Sequence, residues 1–433
     1  MKPVAEQIEI LMRGTQFADE IEGGGARGEG DGGGRDEAAL AGATEGRSLR
    51  EQMTAELAER LKEARPLRVY LGVDPTATNL HIGHFVPVQK LRQFQELGHQ
   101  VIFLIGDYTA TIGDPSGQAQ ERRRLRHEDV LEMGRTYAEQ AFHLLDPAKT
   151  EVRRNGEWLA GLSFAQVAEL ASIFPLKWIV SRRDFRDRLE RGESLRLHET
   201  LYSLMQGYDA HMLHCDVQVG GYDQHFNLLA GRWIQQYFGE KPHVMLTLPL
   251  LMGTDGRKMS KSYGNAIHIN DAPEDIYGKA MRIADELIPN FVDLATSWTS
   301  TRAEEEKARL RQKGTNPMDV KKDLATHLVE IYHGREAAER AAQHFRQVVQ
   351  EKVAPEDVTE VHVPATIAAG TAWVDLATAC KLAGSKSEMR RLIQQGGFYV
   401  EQEPVRDAAA TWDGRPETLI RLGKRRYFRI LRA

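Results

Sequence analysis

The chain has 433 residues, 41% apolar and 27% charged, with a net charge of −5, the balance of a globular protein of two to four domains. No apolar run approaches the ~18 residues of a membrane span, and the charged N-terminus has no apolar core of the kind a secretory signal needs, so neither membrane nor secretion is expected. The only cysteines, Cys215 and Cys380, exclude a disulfide scaffold and a cysteine-built zinc site, and they suit a reducing cytoplasm.

In chain order, residues 1–48 read as a short N-terminal helix followed by a disordered, glycine-rich acidic insert over 14–48. Between 23 and 34 eight of twelve positions are glycine, too little apolar surface to offset the entropy of ordering. Gly28-Glu29-Gly30-Asp31-Gly32-Gly33 spells the dinucleotide fingerprint, but no strand precedes it and its acids would repel phosphate, so the match is chance. The spacing of Leu49, Met53, Leu57 and Leu61 predicts a helix ending at Arg65-Pro66. A strand over 67–73, a loop with Asp74-Pro75-Thr76, a helix through Gln89-Lys90-Leu91 and a strand over 100–106 make a βαβ unit. That unit implies a parallel sheet with helices on its faces.

Further along, 120–210 reads as mostly helical, 273–350 as helical, and 354–370 as a linker. The last sixty residues read as a small α-then-β unit. Residues 381–433 hold twelve Lys/Arg against six Asp/Glu, so a basic end follows an acidic body, which suits the grip of a polyanion. The run Gln120-Glu121-Arg122-Arg123-Arg124 reads as a solvated loop. His211, His214 and Cys215 have no fourth ligand in view and read as ordinary helix residues, so no metal site is expected.

Two motifs carry chemistry. His81-Ile82-Gly83-His84 stands where the first strand turns into a helix. A helix start favours phosphate, imidazole N–H groups can hold its oxygens, and Gly83 lets a planar ligand lie against the backbone. Lys258-Met259-Ser260-Lys261-Ser262 is a double cation in a glycine-flanked loop, suited to a polyphosphate. H-I-G-H followed much later by K-M-S-K-S is the paired signature of class I aminoacyl-tRNA synthetases. From Leu49 onward the chain resembles the bacterial tyrosyl-tRNA synthetases with an intact K-M-S-K-S. The resemblance runs through Tyr70-Leu71-Gly72-Val73-Asp74-Pro75-Thr76-Ala77, Ile112-Gly113-Asp114-Pro115-Ser116-Gly117, Tyr202-Ser203-Leu204-Met205-Gln206-Gly207-Tyr208-Asp209 and Gly220-Gly221-Tyr222-Asp223-Gln224.

The resemblance implies an α/β fold: a Rossmann-like parallel-sheet catalytic domain over 49–265 with a helical insertion, then a helical anticodon-binding domain over 266–353. After the linker comes a small α+β, S4-like RNA-binding domain over 371–433. It implies ATP with Mg²⁺, L-tyrosine and its transfer RNA as substrates, a homodimer, and a cytoplasmic enzyme. His81, His84, Thr76, Lys258 and Lys261 would be catalytic, stabilising the phosphates. Tyr70 and Asp209 would read the tyrosine hydroxyl, Asp209 as the charged acceptor. Asp74, Thr109, Asp114, Tyr202, Gln206 and Gln224 would complete the tyrosine site. Gly83, His84, Gly221, Asp223, Lys258, Met259 and Lys261 would hold ATP. Lys386, Arg390 and Arg391 would meet RNA by shape and phosphate. A tryptophan enzyme of the sister branch is disfavoured by Tyr70 with Asp209 and by the S4-like end. A small-metabolism nucleotidyltransferase needs neither K-M-S-K-S nor an RNA module, and a non-catalytic RNA-binding descendant would have lost active-site residues.

Overall fold

Five short strands, Arg68–Val73 (β1), Gln100–Ile105 (β2), Thr150–Arg154 (β3), Val217–Gly221 (β4) and Val244–Leu248 (β5), form one sheet in the order β3-β2-β1-β4-β5. Every neighbouring pair is parallel, with Tyr70 opposite Ile102 on one side and Gln218 on the other. β5 is buried along its whole length, as a strand covered on both faces must be. The helix Ile82–Glu96 makes the crossover from β1 to β2. The strand order reverses between β1 and β4, and such a switch point opens a crevice at the carboxyl ends of the strands. The computed structural model describes residues 2–22, 47–75, 80–116, 127–260, 263–312, 314–347, 358–401, 403–423 and 426–432. The glycine fingerprint, Thr76, the Gln120–Arg124 run and Lys261 lie outside the described residues.

The chain divides into two compact units, Met1–Ala338 and Glu339–Ala433. Within the first, the described part of 120–210 is mostly helical, as expected, and β3 is the one strand in it that the sequence did not announce. Thr150-Glu151-Val152-Arg153-Arg154 has one apolar residue, and Val152 is exposed. Charged side chains are how a sheet edge is protected, and they erase the apolar signal by which a strand is read. Residues 14–22, grouped by composition with the disordered insert, are ordered. Phe17 is fully buried, Gln16 N–H donates to Thr247 O on β5 at 2.8 Å, and Arg50 donates to Thr15 O at 2.7 Å. Lys90 on the crossover helix donates to Leu11 O and Arg13 O at 2.9 and 2.8 Å, closing the C-terminus of the helix Val4–Met12. The helices Pro273–Ala280, Ile288–Ala295, Ser300–Arg311 and Pro317–His333 belong to the same unit, with Leu324, Leu328 and Val329 fully buried.

The second unit holds a five-stranded sheet of Thr359–Val363 (β6), Phe398–Val400 (β7), Glu403–Pro404 (β8), Glu417–Leu422 (β9) and Arg426–Arg432 (β10), in the order β6-β10-β9-β7-β8. The helices Trp373–Ala379 and Lys386–Gln394 pack on it around Trp373, Met389, Phe398 and Trp412. β6 falls inside the stretch expected as a linker, 354–370. It pairs parallel with β10, and Val363 is buried in the core, so only part of that stretch connects.

Candidate active site

The crevice at the switch point is an open cleft of about 840 Å³. Its walls bring together Asp74, His81, Gly83, His84, Thr109, Asp114, Tyr202, Gln206, Asp209, Gly221, Asp223, Gln224, Lys258 and Met259, residues from seven separate segments of sequence. Tyr202, Gln206 and Asp209 reach it from one face of the helix Tyr202–Met212, as their spacing of four and three requires. Tyr202 Oη donates to Asp74 Oδ2 at 2.9 Å, and Thr109 Oγ1 donates to Asp74 Oδ1 at 2.8 Å. Gln224 Nε2 donates to Asp114 Oδ2 at 2.6 Å. A Cβ at Gly106 would stand 2.1 Å from Asp74 Oδ1, so glycine there admits the carboxylate.

Tyr70 on β1 is fully buried, and its hydroxyl finds no hydrogen-bond partner among the described residues. Asp209, 2% exposed, accepts from Trp158 Nε1–H at 2.8 Å and from Asn155 Nδ2 at 3.2 Å. Burial outweighs those donors and pushes the Asp209 carboxyl up to about 8, with Asp74 and Asp107 adding to the shift. Desolvation disfavours the anion, so the site pushes towards its protonated form a carboxyl that the sequence led one to expect as a charged acceptor. Asp209 lines the cleft, whereas Tyr70 is not among its lining residues and packs in the core cluster with Trp158 and Ala210, near enough to feel the Asp209 charge.

The two motifs meet across the cleft. His81 caps the crossover helix, its N–H donates to His84 Nδ1 at 3.2 Å, and the two rings lie 3.8 Å apart. Burial lowers His81 to about 3 and His84 to about 4, and the nearby Lys258 charge adds to both shifts. Both rings are therefore neutral at physiological pH, and because His84 Nδ1 accepts, its proton sits on Nε2. A Cβ at Gly83 would lie 3.0 Å from His81 Nδ1 and 3.5 Å from Met259 Sδ, so a side chain there would wedge between the motifs. Buried Asn265 fixes the lysine loop: its Oδ1 accepts from Ser260 N–H at 2.9 Å, and its Nδ2 donates to Asp255 Oδ1 at 2.7 Å and Lys258 O at 3.2 Å.

The lowered histidines give a pH prediction. His81, His84, His99 and His225 fall to between about 3 and 4, burial being the first cause in each, against ~6.5 in an unfolded chain. As pH falls from 6.5 towards 4 the unfolded chain takes up protons that the folded protein refuses, so stability is lost in that window. Asp209 and Asp223 act in the opposite sense, two carboxyls against seven lowered histidines once His143, His243 and His327 are added. The urea midpoint should drop between pH 6.5 and 5, while pyrophosphate exchange at saturating substrates shows no histidine titration between pH 6 and 8. A midpoint that rose on acidification would contradict the assigned states.

Sequence reasoning missed Asn155, Trp158, Ser116, Arg182 and Asn227, all of which hold cleft residues in place. Asn155 and Trp158 follow β3 directly, so the unread strand hid them. In the second unit, Lys386, Arg390 and Arg391 are exposed on the helix Lys386–Gln394, and Lys386 Nζ pairs with Asp375 Oδ1 at 2.6 Å. His211 and His214 both meet Glu240 Oε1, at 2.9 and 3.1 Å. Among the described residues no three histidine, cysteine or acidic groups are disposed to hold a metal ion.

Residues 62–350 match the family described as tRNA synthetases class I (W and Y), and the chain belongs to that class. A tyrosine–tRNA ligase of Thermotoga maritima is 46% identical over 376 residues, covering 87% of this chain and 93% of its own length. One from Carboxydothermus hydrogenoformans is 44% identical over 386 residues, covering 88% and 94%. The fold is shared with a tyrosyl-tRNA synthetase complexed with L-tyrosine from Archaeoglobus fulgidus, at TM-score 0.57 and 22% identity over 78% of this chain and 100% of that one. Within the class, the chain is one of the tyrosine–tRNA ligases.

Proposed function

We propose that the cleft joins L-tyrosine to ATP with these residues in the following roles. The tyrosine carboxylate attacks the α-phosphate, pyrophosphate leaves, and no side-chain base is required. The 3′-terminal adenosine hydroxyl of the transfer RNA then attacks the adenylate carbonyl, and AMP leaves. Catalysis is positioning and charge stabilisation. His81 and His84 donate N–H groups to the phosphates, Lys258 and Lys261 stabilise the leaving pyrophosphate, and Thr76 meets the γ-phosphate. Gly83, Gly221, Asp223 and Met259 cradle the nucleoside. Tyr70 and Asp209 read the phenol hydroxyl. Asp74, Thr109, Asp114, Tyr202 and Gln206 serve the ammonium end, and Gln224 serves the carboxylate. ATP enters with Mg²⁺ carried on its phosphates as part of the substrate. The observation that carries the reading is the convergence of His81, His84 and Lys258 on the same cleft as the buried Asp209.

ATP–pyrophosphate exchange against all twenty amino acids tests it. Exchange should occur with tyrosine alone, and exchange with tryptophan instead would move the chain to the sister branch.

The helix Phe164–Ser172 supports a homodimer. Only Leu170 of its nine residues is buried, Phe164 is 89% exposed, and Leu176 and Leu197 are exposed as well, large apolar side chains of the kind a two-fold partner covers. No described helix is long and apolar enough to cross a membrane, and two free cysteines suit a cytoplasmic home.

A helical anticodon-binding domain over 266–353 and an S4-like RNA-binding module complete the proposed organisation. Because β6 belongs to the C-terminal sheet, a truncation must precede Thr359, and a chain ending after Phe345 is the appropriate one. It should keep tyrosine activation but charge transfer RNA poorly, with the loss in KM for RNA and a shallower salt dependence. Normal charging by that chain would remove Lys386, Arg390 and Arg391 from the account.

A further inference from the structure

Arg182 stands between the helices Leu176–Ser181 and Arg183–Glu190, with a side chain 4% exposed. Its Nη1 donates to Asn227 Oδ1 at 3.0 Å and to Ser203 Oγ at 3.5 Å. Its Nη2 donates to Ser116 Oγ and stands 3.6 Å from Asp114 Oδ1. Nε is 3.6 Å from Asp184 Oδ2, and Phe185 and Phe226 lie 5.5 and 5.6 Å from the guanidinium carbon.

What matters is the direction of the bonds. A guanidinium only donates, so Asn227 must turn its oxygen towards Arg182, where it also accepts from Ser203 Oγ at 2.8 Å. The Asn227 amide NH₂ then faces the other way and donates to Gln224 Oε1 at 3.0 Å. That fixes Gln224 in turn: its NH₂ points into the cleft, 2.6 Å from Asp114 Oδ2 and 3.2 Å from Ser116 Oγ. Ser116, held by Arg182, donates its N–H to Asp114 Oδ1 at 2.9 Å. One buried cation therefore sets the polarity of two amides and braces the neighbouring carboxylate.

We infer that Arg182 is a positioning residue for amino-acid recognition: through Asn227 it keeps the NH₂ face of Gln224 turned to the cleft, where the substrate α-carboxylate takes the place of Ser116 Oγ as acceptor while Asp114 Oδ2 keeps the other hydrogen. The inference rests on the reading of Gln224 and Asp114 as the head-group site. With the relay reversed, Gln224 would offer a carbonyl oxygen to a carboxylate, a repulsive contact. The relay selects an amino acid over its amine because only the amino acid supplies the acceptor.

The test compares the KM for tyrosine in pyrophosphate exchange with the Ki of tyramine, which keeps the phenol and ammonium but lacks the carboxylate. Asn227→Asp keeps an oxygen for Arg182 and removes the NH₂ that orients Gln224. It should raise the tyrosine KM by about tenfold or more while the tyramine Ki and the KM for ATP each move less than about threefold. Arg182→Met should do the same, and Arg182→Lys, which restores a donor, should recover part of the loss. Should Arg182→Met fail to fold, Asn227→Asp and Arg182→Lys still decide the matter. Equal weakening of tyrosine and tyramine, or no change in either, overturns the inference. Gln224→Leu separates the two levels. If it leaves the tyrosine KM unchanged, the head-group reading itself fails; if it raises that KM while the relay variants do not, only the role of Arg182 and Asn227 fails.

Discussion

Lys258→Ala slows tyrosyl-adenylate formation by tens to thousands of fold, about 2–4 kcal/mol of transition-state stabilisation, the scale of losing one group aimed at developing phosphate charge. Lys258 is exposed at the cleft wall, and its charge is felt by both His81 and His84, as the proposed phosphate-binding role requires. Its loop is pinned behind it by Asn265 and by a backbone bridge between Met252 and Lys258, so the substitution removes a cation without undoing the scaffold. Tyrosine affinity should stay within about twofold, because the phenol slot at Tyr70 and Asp209 draws on other elements. Lys261→Ala is expected to act in the same way. Rapid-quench measurement of adenylate formation with a separate tyrosine titration checks both variants. A collapse of tyrosine binding at an unchanged activation rate would sink the assigned role.

The βαβ start of the sheet was legible because aliphatic runs bracket an amphipathic helix, and the two motifs were legible because phosphate chemistry tolerates few residue types. What escaped follows a physical pattern. β3 is an edge strand whose charges hide it, and β6 alternates Val361 and Val363 with polar residues too briefly to stand out from a linker. Phe17 is one buried aromatic in a stretch whose composition is dominated by the neighbouring glycines. The residues behind the site escaped for another reason. Asn155, Trp158, Arg182 and Asn227 act by hydrogen-bond direction between elements distant in sequence, and spacing along a chain carries no record of which way an amide points.

Replacing Tyr70 with phenylalanine should reduce discrimination between tyrosine and phenylalanine by about 1–2 kcal/mol, the worth of one hydrogen bond whose partner has no substitute. The starting discrimination, roughly 10⁵-fold, is the figure known for tyrosine-specific enzymes of this class and is carried over to this chain. It is large because a slot built for a hydroxyl leaves its own polar groups unpaired when the hydroxyl is missing. The Tyr70 hydroxyl is buried with no hydrogen-bond partner among the described residues, so nothing in the chain itself rewards it. Tyr70→Phe should therefore leave the melting temperature of the free enzyme unchanged or slightly higher while lowering selectivity. Asp209→Asn should cost more, about a hundredfold or beyond in selectivity. Both Asp209 oxygens accept, one from Trp158 and one from Asn155, and an asparagine would set an NH₂ against one of those donors. The values to compare are kcat/KM for tyrosine and for phenylalanine in pyrophosphate exchange, for the parent and both variants. If Asp209→Asn discriminates as well as the parent, the hydroxyl is read elsewhere and the slot must be assigned to other residues.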